Sequence, residues 1–100
     1  MYIQCMEYEW DENKNKTNKT KHRISFEEAV EIFDYSVLEL ECNRFDYGET
    51  RYIGIGRNRK LIILTVVFTE RKPRLRIISA RRANKKERSL YHEYCSQKTA

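Results

Sequence analysis

One hundred residues with 40% hydrophobic and 35% charged side chains suffice for one modest core beneath a densely charged surface, and exclude two domains that each bury enough to fold alone. Cys5, Cys42 and Cys95 form neither a CxxC pair nor a Cys/His cluster, so reduced thiols are expected rather than a disulfide framework. No apolar stretch approaches membrane-span length and the amino terminus lacks the pattern of a signal peptide, so a cytoplasmic protein is expected, in which the Asn-x-Thr triplets at Asn15 and Asn18 carry no glycosylation meaning.

Tyr2 to Trp10 alternates loosely between apolar and polar residues and predicts a short strand. Asp11 follows as a helix cap, because its carboxylate can accept from backbone N–H groups two or three residues on. Glu12 to His22 has no large apolar residue, so a helix there packs weakly or exposes most of its sides, and disorder over Asn13 to Thr20 is the rival reading. Ser25-Phe26-Glu27-Glu28 predicts a capping box, with Phe26, Ala29, Val30 and Phe33 at helical spacing behind it. Three strands are predicted over Thr50 to Arg57, Lys60 to Thr69 and Arg74 to Arg82, joined by gaps short enough for hairpins. Asn84-Lys85-Lys86-Glu87 starts a last helix with a stripe of Leu90, Tyr91 and Tyr94, and the tail after Cys95 frays. The expected fold is a single α+β domain over residues 1–100: an antiparallel sheet, made of an N-terminal strand plus a three-stranded meander, with two N-terminal helices and one C-terminal helix.

Charge is distributed unevenly along this order. Twenty Lys and Arg against fifteen Asp and Glu leave a formal net charge of +5. Arg71 to Arg88 holds nine basic residues and the single acid Glu87, whereas Glu27 to Glu49 holds eight acids and the single base Arg44. A basic run alone is most often a solvated face, but such polarity also concentrates a polyanion on one side, and nucleic acid is the commonest such partner.

Particular side chains sharpen this. Tyr8-Glu9-Trp10-Asp11-Glu12-Asn13-Lys14, Asn18, Lys21-His22 and Ser25-Phe26-Glu27-Glu28-Ala29 in the first half resemble the amino-terminal signature of BrnT toxins. Val67-Phe68-Thr69-Glu70-Arg71, Arg76-Ile77-Ile78-Ser79-Ala80-Arg81-Arg82-Ala83, Glu87-Arg88 and Tyr91 extend the resemblance, in order, over roughly residues 8 to 94. The resemblance implies a RelE-like fold, RNA as substrate, arrest of translation through RNA cleavage, and neutralisation by a BrnA-like antitoxin that also carries DNA binding.

RNA cleavage through its own 2′-hydroxyl needs proton transfer and charge stabilisation, and no His pair or carboxylate cluster at metal-ligand spacing occurs, so neither metal nor cofactor is expected. His22 is the candidate proton carrier and Lys21 its cationic neighbour; the competing role of His22 is to meet carbonyls at a helix carboxyl terminus. Arg51 and Arg81 are the expected inward pair completing the catalytic set, because planar multi-donor guanidinium groups suit phosphate oxygens. Arg71, Arg76, Arg82 and Tyr91 are candidate RNA contacts. Strict alternation puts Arg76 and Arg81 on opposite faces unless a bulge intervenes, and the helical spacing of Tyr91 favours packing. Glu27, Glu70 and Glu87 are better explained as helix, turn and cap acids. Two rivals stand beside this reading: a basic nucleic-acid-binding module without catalysis, and an inactive relative that only binds the antitoxin.

Overall fold

The computed structural model describes residues 7–42, 50–71 and 73–98. In chain order these form β1 (Glu7–Glu9), α1 (Glu12–His22), α2 (Phe26–Ala29), a 3₁₀ turn (Val30–Asp34), β2 (Val37–Cys42), β3 (Arg51–Arg57), β4 (Ile63–Arg71), β5 (Arg74–Arg82) and α3 (Lys85–Lys98). Of the predicted first strand, Tyr2 to Met6 lie outside the described residues.

The sheet order is β1-β5-β4-β3-β2, so the expectation of four antiparallel strands needs two corrections. First, β1 pairs with β5 in parallel, Glu7–Glu9 against Arg74–Arg76, because α1 and the meander carry the chain around before β5 returns beside β1. Second, Val37–Cys42, in the acidic stretch, forms an edge strand antiparallel to β3. The β3–β4 connection is also longer than the two residues expected. Asn58 is fully buried and its Oδ1 accepts from the Lys60 and Ile62 amides at 2.9 and 3.0 Å, while Leu61 adopts a positive φ of 66°. Conversely, β4 and β5 extend up to their turn, so Arg71 pairs with Arg74 at the strand ends.

The main core lies between the sheet and the helices that follow β1. Phe26, Ala29 and Ile32 meet Leu64, Val66, Phe68, Ile77 and Ala80, and Phe33 packs edge-on against Phe68 with ring centroids 5.1 Å apart. Gly56 permits this approach: a Cβ there would lie 3.0 Å from Ile32 Cβ.

The first helix docks by polar means. Asp11 caps it, accepting from the Asn13 and Lys14 amides at 2.8 and 3.3 Å. Its buried residues are Asn15 and Asn18. Asn15 donates to Glu27 at 2.9 Å and accepts from the Phe26 amide at 2.8 Å, fixing the start of α2. Asn18 donates to the Ile24 and Ala80 carbonyls, both at 2.8 Å, and accepts from the Ala80 amide at 3.2 Å. Beyond Arg76, where β1 has ended, this carboxamide takes the place of a neighbouring strand at the edge of β5.

Candidate functional site

The outer edge of β5 and α1 together form a groove of about 340 Å³, lined by Asp11, Asn13, Lys14, Thr17, Asn18, Lys21, His22, Ile78 and Ser79. It exists because Asn18 holds the helix against Ala80, so residues one turn to either side, Lys14 and Lys21 with His22, stand over the strand edge. The helix ends at Arg23, whose φ is 61° and whose amide donates to the Lys19 carbonyl at 2.9 Å. Lys19, Lys21 and His22 therefore occupy the last turn, where the helix dipole favours cations.

The strands decide where the arginines go. Phe68 pairs with Ile77 but Val67 pairs with Ser79, so Ile78 is an extra residue in β5. This bulge resets the alternation: Arg76 pairs with Thr69 and Arg81 with Thr65, which lie four apart on β4 and share one face. Arg51 also pairs with Thr69. Arg51, Arg76 and Arg81 therefore lie on one face of the sheet, opposite the main core. Ser79 shares this face and lines the groove, with Arg81 two residues on, roughly 7 Å along the strand. Arg82 is exposed on the other face, paired with Leu64, and Arg71 is exposed at the far end of β4.

Among the described residues, carboxylates hold Arg81 and Arg76. Arg81 donates twice to Glu87, at 2.8 and 2.7 Å, while Glu87 also accepts from Thr65 at 3.0 Å and from the Asn84 amide at 2.9 Å. Arg81, with help from the Asn84 amide and Thr65 and against the effect of burial, holds the Glu87 carboxyl at about 2. Hydrogen bonding to Glu87 in turn raises Arg81. An acid this strong stays ionised at neutral pH and is poorly matched to proton transfer; its role is to aim Arg81. Arg76 donates to Glu9 at 2.9 Å.

Tyr91 is 6% exposed and its hydroxyl donates to the Ser36 carbonyl at 2.8 Å. Burial, with a contribution from Cys95, pushes its hydroxyl up to about 12. It anchors α3 to the sheet and does not offer a ring face for a base to stack on. Lys14, Asn18 and Ser79 are groove residues that sequence reasoning did not single out as site residues. The signal for Lys14 was present, since it lies seven residues before Lys21, two turns up the same helix face. Among the described residues no three His, Cys, Asp or Glu side chains gather where a metal could be held.

Comparison with known proteins gives two findings. Residues 10–87 match a family model described as the ribonuclease toxin BrnT of type II toxin-antitoxin systems. The fold is similar to the crystal structure of the Brucella abortus ribonuclease toxin BrnT, with a TM-score of 0.60 and 30% identity, covering 81% of this chain and 100% of that one. A search of curated proteins gives no match.

Proposed function

This chain belongs to the BrnT family of ribonuclease toxins of type II toxin-antitoxin systems, and from that membership we propose a cytoplasmic, metal-independent endoribonuclease that arrests translation and is neutralised by a BrnA-like antitoxin. DNA is reached only through that antitoxin. The whole chain acts as one RelE-like domain.

In the proposed reaction an RNA phosphodiester lies in the groove beside α1. Removal of the 2′-hydroxyl proton lets that oxygen attack phosphorus while the 5′-oxygen leaves with a proton, giving a 2′,3′-cyclic phosphate and a 5′-hydroxyl. His22 serves one of the two proton transfers. Lys21, with Lys14 one step further along the helix face, and Arg81 stabilise the extra negative charge on the phosphoryl oxygens. Its pairing with Glu87 leaves Arg81 with further N–H donors for the phosphate. Arg76 and Arg51, on the same sheet face, and Arg71 at its far end hold flanking phosphates, whereas Arg82, on the opposite face, is left out of this path.

The observation that carries this reading is the Ile78 bulge, which turns Arg76 and Arg81 to the face bearing Ser79, a wall of the groove that Lys21 and His22 also line. The test is to incubate the purified chain with RNA in excess chelator and look for cyclic-phosphate ends, alongside His22→Ala and Arg81→Ala. Each variant is expected to lose about a hundredfold or more in rate. Full activity and full toxicity in both would remove this site. Salt-sensitive binding with no product from the unmodified chain would instead identify a binding module.

A further inference from the structure

Among the described residues, α3 covers one end of the sheet face that carries Arg51, Arg76 and Arg81. α3 crosses it there: Glu87 meets Thr65 and Arg81 on β4 and β5, and Tyr91 reaches Ser36 just before β2. Beside α3 the pairing register lines up Leu40, Ile53, Val67 and Ser79 as one row across four strands. Leu40 is 41% exposed, and Ile53, Val67 and Ser79 are half-buried. The next row out is Cys42, Arg51, Thr69 and Arg76. An apolar strip thus runs from the β2 edge to the groove, with α3 on one side and arginines on the other.

These dimensions fit a helix. Helices packed side by side have axes roughly 8–10 Å apart, and a strand rises about 3.3 Å per residue, so a helix laid next to α3 would rest on Leu40, Ile53 and Val67 and bring its outer flank to Arg51 and Arg76. We propose that this strip is the docking site of an acidic amphipathic helix of the antitoxin, which lies beside α3 and whose end at Ser79 closes the groove. Charge selects the occupant. A second copy of this chain would set arginines against arginines, and an RNA backbone gains nothing from an apolar floor without aromatic rings. A helix with leucine-like residues inward and carboxylates on its flank satisfies both features. The proposal rests on the toxin-antitoxin reading and supplies its means of silencing: the helix end occludes the place where RNA lies.

The test measures the affinity of the full chain for a BrnA-like antitoxin by titration calorimetry, separately from RNA cleavage. Leu40→Arg is expected to weaken antitoxin binding at least tenfold and leave RNA cleavage by the isolated chain intact, which also shows that the variant folds. Leu40→Met is expected to bind as the unmodified chain does. Glu39→Arg, adjacent on the same strand but facing the other way, is expected to have no effect. Equal binding by Leu40→Arg overturns the proposal. An equal loss in Glu39→Arg overturns it in favour of strand addition at the β2 edge, and a loss of RNA binding rather than antitoxin binding in Leu40→Arg overturns it in favour of nucleic acid. A chain that binds antitoxin through this strip yet cuts no RNA would sink the nuclease reading and leave the docking site standing.

Discussion

Single side chains carry unusual responsibility in this molecule. Asn18 satisfies three backbone groups at once, two of them on β5. Asn18→Leu, similar in size but without the amide, leaves those groups buried and unpaired, and is expected to cost about 3 kcal/mol or more in urea unfolding; a loss below about 1 kcal/mol would show that water replaces the amide. Glu87 makes a different kind of statement. Its folded carboxyl is held at about 2 against 4.5 for the free group, so the stabilisation is fully present above the unfolded value and disappears as pH falls through the folded one. Glu87→Gln keeps the oxygen that accepts from Asn84 and Thr65 but removes the charge. The difference in melting temperature between the two proteins is expected to be constant near neutrality and to shrink between pH 4.5 and about 2; a constant difference down to pH 2 would mean that the charge contributes nothing.

At the scale of elements, the capping signals were legible and the packing partly was not. Ser25 accepts from the Glu28 amide at 3.1 Å, one half of the reciprocal pair its pattern predicts, while Asn84 and Glu87 exchange both hydrogen bonds, at 2.8 and 2.9 Å. The Glu28 carboxylate reaches 30 residues along the chain to Asn58 at 3.0 Å, which no local pattern reveals. The first helix defeats hydrophobic periodicity because its inner face is amide rather than hydrocarbon. The β2 edge follows the alternation of Leu38 and Leu40 with Glu39 and Glu41, a period-two signal inside the acidic stretch from which no strand is predicted. The bulge at Ile78 was foreseen only as a condition, since a run of Ile77-Ile78-Ser79 reads equally well with or without an extra residue. The β3–β4 loop offers an element-scale test. Leu61 is 71% exposed in the left-handed region at φ 66°, a conformation that costs a branched residue about 1 kcal/mol or more. Leu61→Gly is expected to raise stability by about 0.5 kcal/mol or more in urea unfolding, and a net loss would show that the exposed side chain makes a contact worth keeping.

Viewed whole, the molecule separates its charges more sharply than its formal +5 suggests. Burial raises Tyr52, and Glu70, Glu41 and Glu39 add to that rise; burial likewise raises Tyr8, with Asp34 contributing. These acids gather on the side of the sheet that holds the main core, away from Arg51, Arg76 and Arg81. If RNA is the ligand of the arginine face, as proposed, it meets attraction there and repulsion beside these acids, which orients it before contact. Binding to a short RNA is therefore expected to weaken linearly on a log–log plot against salt, and Arg76→Ala to reduce the slope by about one. An unchanged slope in fluorescence anisotropy would remove Arg76 from the phosphate contacts. The amide that stands in for a strand beside β5 has a final consequence at this scale. Without it, the ladder past Arg76 becomes an open template on which an extended segment of any neighbouring molecule can assemble, so Asn18→Leu should not merely melt earlier but also clump, with light scattering that climbs with protein concentration at temperatures where the unmodified chain stays clear.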